Sequence, residues 1–392
     1  MKITEVSAKA VLDSRKEKTI CIMIKTDVGN FSASAPNGKS KGKFETKPYK
    51  KDLENDIKTI GKFKDYFSEE EIEKFSDLRR IEDTIDGHIG ANTLFALESA
   101  VLKAVAKEQK KEIWEIVNSS PESFAKSKKL KFPRLVGNCV GGGKHSSISK
   151  KPDFQEFLLI PKSKSTYKSF EELKKAKQET KEELEKVDEK FEGKRNDENA
   201  WMTSLNEKEV LDVLGKLKIP LGLDVAASSF YKRKKYHYEN PKLDRTNEEQ
   251  FGYLINLIKN YNLFYIEDAF GEENFEDFAK LLKKFPESLI VGDDLIVTNS
   301  KKLEKAIEKK SVNAIIVKPN QCGSLLEVEG VCELAKKNNI KLVFSHRSGE
   351  TDETILADLA LGFGADFLKC GITGKEREAK IKRLIEIEKG FR

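Results

Sequence analysis

Asn313-Ala314-Ile315-Ile316-Val317-Lys318-Pro319-Asn320 places four apolar residues before a lysine and a proline. A run this short and this apolar fits a strand buried on both faces of a parallel sheet, and the lysine and proline mark its end. The same pattern recurs on either side. Upstream, Leu221-Gly222-Leu223 ends at Asp224, Leu263-Phe264-Tyr265-Ile266 at Glu267-Asp268, and Leu289-Ile290-Val291-Gly292 at Asp293-Asp294. Downstream, Lys341-Leu342-Val343-Phe344-Ser345 runs into His346-Arg347-Ser348, and Asp366-Phe367-Leu368 ends at Lys369. Glu267, Asp293, Lys318, His346 and Lys369 stand 26, 25, 28 and 23 residues apart. A strand, a helix and two loops need about that length. The pattern predicts a closing series of βα units, an α/β fold of the (βα)8 barrel type. Its charged residues would gather at the strands' C-terminal ends, where such barrels keep their active sites.

A chain of 392 residues is long for one domain and suits a barrel with a companion. Residues 1–131 are expected to form an N-terminal α+β domain, and residues 132–392 the barrel with the catalytic site. The boundary is placed after the polar, lysine-rich stretch that begins at residue 119. With 72 basic and 66 acidic residues, the formal charge is only +6. The signs are interspersed, as from Glu171 to Lys190, which reads as a salt-bridged helix face rather than a nucleic-acid tail. No specific nucleic-acid partner is expected. No run of about 18 apolar residues suggests a membrane span, and no export signal is read at Met1–Val6. The five cysteines form no CxxC pair, which fits a reduced, cytoplasmic protein.

Residues 3–35 alternate like a β-meander. Ala35 to Gly42 is a polar loop with a proline and two glycines. Its Gly38-Lys39-Ser40 imitates the end of a phosphate-binding loop. The glycine that motif needs five residues earlier is Ala33, so an ATPase is excluded. Residues 51–118 read as helices, with Ala91 to Lys107 the clearest. Asp153 to Pro161 alternates like a strand that sends Gln155 and Glu156 to different faces. Residues 168–192 and 207–216 read as helical, with a polar turn at Asn196-Asp197-Glu198-Asn199.

Asp224, Glu267 and Asp293 end three successive strands. Three carboxylates brought together repel, and an all-oxygen donor set favours Mg²⁺, Mn²⁺ or Ca²⁺. The opposing view is that each caps a helix or pairs with a lysine. Lys318 is expected to be partly desolvated and close to Lys369. Both effects would lower its pKa and suit it to act as a general base. An ion pair with one of the carboxylates is the structural alternative. Arg347 and Ser348 offer a guanidinium fork and a hydroxyl to an anion such as phosphate, with His346 beside them.

Several of these segments together are specific. Val11-Leu12-Asp13-Ser14-Arg15, Leu223-Asp224-Val225-Ala226-Ala227-Ser228, Ile266-Glu267-Asp268, Val291-Gly292-Asp293-Asp294-Leu295 and Ser345-His346-Arg347-Ser348-Gly349-Glu350-Thr351 resemble the enolase family, in order and over nearly the whole chain. The resemblance implies an N-terminal capping domain on a modified barrel that begins ββαα. It also implies reversible dehydration of 2-phosphoglycerate to phosphoenolpyruvate with two Mg²⁺, the second arriving with substrate. By the same resemblance Asp224, Glu267 and Asp293 would bind the first metal, and Ser40 in the lid loop would reach the second. Lys318 would take the C2 proton while Lys369 stabilises the enolate. Glu198, with Glu156, would protonate the leaving hydroxyl, and His145 would close over the substrate. Gln155, His346, Arg347 and Ser348 would bind it.

The chain departs from the family pattern around these positions. In the lid, Asn37, Lys39 and Lys41 replace a serine, an alanine and a threonine. Asn196 and Asn199 replace the glycines that flank the acid's turn. Cys21 stands where a glutamate commonly serves the dimer contact, so a homo-oligomer with altered contacts is expected. These features suggest a divergent, archaeal-type member. They leave two alternatives: a related lyase acting on another hydroxy acid, or an impaired enolase-like binding protein.

Overall fold

A computed structural model of the chain describes residues 1–39, 42–63, 66–69, 71–118 and 131–391. Ser40, Lys41 and the lysine-rich stretch 119–130 lie outside the described residues. The N-terminal meander forms as its alternation predicts. Strands β1 (Ile3–Leu12), β2 (Lys18–Thr26) and β3 (Gly29–Ser34) make a three-stranded antiparallel sheet. Ile20, Ile22 and Ile24 are buried on one face, against helix α3 (Ala91–Gln109). The other helices of this region are α1 (Leu53–Lys62), α2 (Leu78–Ile85) and α4 (Ile113–Val117).

From Arg134 onward eight strands close into a barrel. They are β4 (Arg134–Gly141), β5 (Glu156–Leu159), β6 (Leu221–Asp224), β10 (Tyr265–Glu267), β11 (Leu289–Gly292), β12 (Ala314–Val317), β13 (Lys341–Ser345) and β14 (Phe367–Lys369). β5 runs antiparallel to both β4 and β6, and the remaining pairs are parallel. Two helices, α5 (Thr166–Val187) and α6 (Glu207–Gly215), follow β5. The barrel therefore opens ββαα, as the resemblance implied. One element was not foreseen: a three-stranded hairpin sheet, β7 (Tyr231–Lys232), β8 (Lys235–Glu239) and β9 (Lys242–Arg245), interrupts the βα series after β6. On α5 the predicted charge pairs form, Lys174 with Glu171 and Lys181 with Glu185 among them. No helix among the described residues is long and apolar enough to cross a membrane.

The barrel core explains why the polar caps point inward. Successive strand residues alternate between the inside of the barrel and the helix layer. Leu158, Tyr265, Val291, Ile316, Val343 and Phe367 pack with one another in a cluster of their own. Their neighbours Phe157, Ile266, Ile290, Val317, Phe344 and Leu368 pack into the main core instead. Two residues from the inner layer, on the inward side again, stand Glu156, Glu267, Asp293, Lys318, Ser345 and Lys369.

Candidate active site

All of those residues except Glu267 line a cavity of about 320 Å³ at the barrel mouth. Of the residues expected in the site, Glu156, Glu198, Asp224, Asp293, Lys318 and Lys369 line it, as do His145, Gln155, His346, Arg347 and Ser348. Glu267 lies behind this lining, fully buried, with its carboxylate held by the Tyr265 hydroxyl at 2.6 Å. Ser40 falls outside the described residues. Gln155 and Glu156 do not go to different faces, since both line the cavity. Gln155 precedes β5, so strand alternation does not govern it.

Two ammonium groups divide the carboxylates. The Lys369 Nζ donates to Asp224 at 3.2 Å and to both Glu267 oxygens at 2.8 and 2.9 Å, and lies 3.1 Å from Glu156. The Lys318 Nζ donates to Asp293 Oδ2 at 2.5 Å. Burial and the neighbouring carboxylates push Glu267 well above the usual range, and Asp224 also upward. Burial would raise Asp293 too, but Lys318 outweighs it and holds that carboxyl low.

The expected lowering of the Lys318 pKa is not seen. Burial does push it down, but the Asp293 carboxylate outweighs burial and the cationic neighbours, so the net shift is upward. Lys369 is raised well above its ordinary value, its three carboxylates overcoming the cost of burial. The donor set fits a divalent cation: the oxygens are buried, they repel one another, and Asp293 Oδ1 has no hydrogen-bond partner among the described residues.

A second cluster gathers around Glu198. Glu198 accepts from the Asn138 side chain at 3.1 Å, and its Oε2 lies 3.7 Å from both His145 Nδ1 and His346 Nε2. His145 Nδ1 lies 3.6 Å from Glu156. Burial depresses both imidazoles, His346 strongly, with Arg377 and Lys369 adding to it. At these distances the rings are neutral neighbours rather than ion-pair partners. Burial raises Glu156 to about 7 against the pull of Lys369.

The anion arm is built from two distant parts of the chain. Arg347 donates to Asn320 at 3.0 Å and to both Glu45 oxygens at 2.8 and 3.0 Å. The Ser348 hydroxyl accepts from the Lys39 backbone N–H at 2.7 Å and from Arg15 at 3.3 Å. A hydroxyl with both lone pairs engaged has its proton left to donate.

Sequence reasoning missed several residues here. Asp268 and Asp294 lie in quoted segments yet received no role. Asp268 has a φ of 44° and accepts the backbone N–H groups of Asp293 at 2.9 Å and Asp294 at 2.8 Å, which fixes the loop that carries Asp293. Burial and Asp293 raise Asp294 to about 7. Among the described residues two groups could gather ligand atoms around one ion, His145–Glu156–Glu198 and Asp268–Asp293–Asp294. The expected trio of Asp224, Glu267 and Asp293 is instead split between the two lysines.

Residues 129–391 match the family described as Enolase, C-terminal TIM barrel domain. The chain is 35% identical over 410 residues to the Enolase of Methanosphaera stadtmanae, covering 98% of this chain and 96% of that one. It is 34% identical over 422 residues to the Enolase of Methanocorpusculum labreanum, covering 99% of both chains. To the Enolase of Archaeoglobus fulgidus it is 33% identical over 406 residues, covering 99% of this chain and 97% of that one.

Proposed function

The chain belongs to the enolase family, and on that premise we infer how its rim carries out the reversible elimination of water from 2-phosphoglycerate to give phosphoenolpyruvate. It is a divergent, archaeal-type member with the activity of a phosphopyruvate hydratase, a carbon–oxygen lyase of glycolysis.

One observation carries the assignment of roles. β12 and β5 stand four places apart in the eight-strand ring, so Lys318 and Glu156 face each other across its mouth. A C2 proton and a C3 hydroxyl that leave from opposite faces of the substrate need a base and an acid opposed in this way. Lys318 is the base. Glu198 delivers the proton to the leaving hydroxyl with Glu156, whose pKa near 7 keeps part of it protonated at neutrality. His145 and His346, held neutral, shield this acid cluster and line the substrate's path. Gln155 orients the substrate beside Asp224, to which it donates at 3.4 Å. Arg347 and Ser348 bind the phosphate, which favours a phosphorylated hydroxy acid over an unphosphorylated one. Lys369 sets a fixed positive charge beside the developing enolate.

Asp224, Glu267 and Asp293 would hold a divalent cation, which would supply Lewis-acid stabilisation of the enolate's second charge. We take it to be Mg²⁺, with a second Mg²⁺ arriving with substrate; Ser40, which the resemblance assigns to that second ion, lies outside the described residues. The same reading proposes domains at 1–131 and 132–392, a cytoplasmic location, and a homo-oligomer with contacts altered around Cys21.

The test mixes the purified protein with 2-phosphoglycerate and Mg²⁺ and follows phosphoenolpyruvate by ultraviolet absorbance. Turnover is expected, with loss of at least about 10³-fold in Lys318→Ala, as for removal of a positioned base, and with chelator. Undiminished turnover in Lys318→Ala would sink the assignment of the base.

A further inference from the structure

We propose that Lys39 is a positioning residue that ties the phosphate arm to the turn carrying the catalytic acid, an inference that rests on reading Glu198 as that acid. Lys39 makes two bonds in different directions. Its backbone N–H donates to Ser348 Oγ at 2.7 Å, and its Nζ donates to Asp197 Oδ2 at 2.9 Å. Asp197 immediately precedes Glu198. Arg377 closes the circuit from the barrel side, donating to the Ser348 carbonyl at 2.8 Å and to the Asp197 carbonyl at 3.4 Å. The loop that presents Lys39 is itself seated on the rim, since Asn37 and Gly349 exchange backbone hydrogen bonds of 2.7 and 2.9 Å.

Among the described residues the turn is otherwise held only from the barrel. The Asn196 side chain accepts from the N–H groups of Glu198 at 3.0 Å and Ala200 at 2.9 Å, and the Lys177 ammonium donates to the Asn199 carbonyl. Lys39 is the link that reaches it from the N-terminal part of the chain. An alanine at this position, as in the family pattern, has no side chain that could make it. The chain thus couples occupancy of Ser348 to the placement of Glu198 through the Lys39 side chain, beside the Arg377 bridge on the barrel side. Lys39 is 44% exposed and Asp197 38%. A pair this open is weak, so its effect is a tuning of the acid's placement and not a condition for folding.

Steady-state kinetics with 2-phosphoglycerate and Mg²⁺ on Lys39→Met, Asp197→Asn, the double variant and Lys39→Arg test this. Each single change is expected to lower kcat about two- to five-fold, the range of a half-exposed ion pair. KM stays near the wild-type value, because the backbone bond to Ser348 survives. The double variant is expected to be no slower than the slower single one, and Lys39→Arg to restore the rate. Raising the salt concentration closes the gap between wild type and Lys39→Met. An unchanged kcat in Lys39→Met, losses that multiply in the double variant, or an effect confined to KM would each overturn the inference. Glu198→Gln separates this from the broader reading. If it is inactive while Lys39→Met is fully active, only the tie fails; if it is fully active, the acid assignment fails and the tie with it.

Discussion

Glu207, at the start of α6, is a carboxyl with no part in the catalytic cluster that nonetheless titrates near neutrality. It is buried, accepts the Asp153 N–H at 2.6 Å, and burial raises it to about 7. In the unfolded chain a glutamate titrates near 4.3. Between these values the folded state holds the extra proton, so the stability this group contributes is complete below the lower value and is lost as pH rises through about 7. Glu207→Gln keeps an acceptor for Asp153 without the charge. Its melting temperature should match wild type near pH 4 and exceed it at pH 8, by the equivalent of roughly 3–4 kcal/mol. Equal pH profiles for the two proteins would show that Glu207 does not titrate in this window. Residues of this kind were invisible in the sequence, because nothing local distinguishes Glu207 from the solvated glutamates around it. Lys318 was legible because an apolar strand ends on it. The direction of its pKa was not legible, since that depends on Asp293 of a neighbouring strand coming within 2.5 Å.

At the scale of elements, the strands were the readable part. Buried parallel strands must be apolar throughout and must end where charge begins, so β10 to β14 could be located from composition alone. The β7–β9 hairpin escaped because Tyr231 to Arg245 is polar on its open face and carries no apolar run. The loop from Ala35 to Gly42 was legible as a loop, but the contacts of its described residues with the rim were not. Gly38 shows why it matters: a Cβ there would lie 1.9 Å from Arg347 Nη2. The obstacle is the mobile end of a side chain, so Gly38→Ala should fold with a nearly unchanged melting temperature. Displacing the fork from its place should weaken phosphate binding, raising KM for 2-phosphoglycerate about ten-fold or more, the scale of a lost charge-assisted pair. A KM equal to wild type would mean that the guanidinium does not depend on the loop's close approach.

At the scale of the whole molecule, the N-terminal part of the chain and the barrel share polar work around the charged centre of the site. Arg15, Lys39 and Glu45 reach Ser348 and Arg347 from the N-terminal side. The barrel supplies the carboxylates and both lysines. Gathering Asp224, Glu267 and Asp293 with their neighbours at one buried rim costs stability through desolvation first and mutual repulsion second, and the raised pKa values of Asp224 and Glu267 register that cost. A divalent cation that binds only the folded rim therefore stabilises the whole fold by mass action. At about 100 times its dissociation constant it should contribute roughly 2.7 kcal/mol. For a chain of this length that corresponds to a rise of about 3 °C in melting temperature. Calorimetry with and without Mg²⁺ reads this without any substrate. Asp293→Asn removes one charged donor and should lose most of the increment while remaining folded. A wild-type protein indifferent to Mg²⁺, or an Asp293→Asn variant stabilised as much as wild type, would place the cation somewhere other than on these three carboxylates.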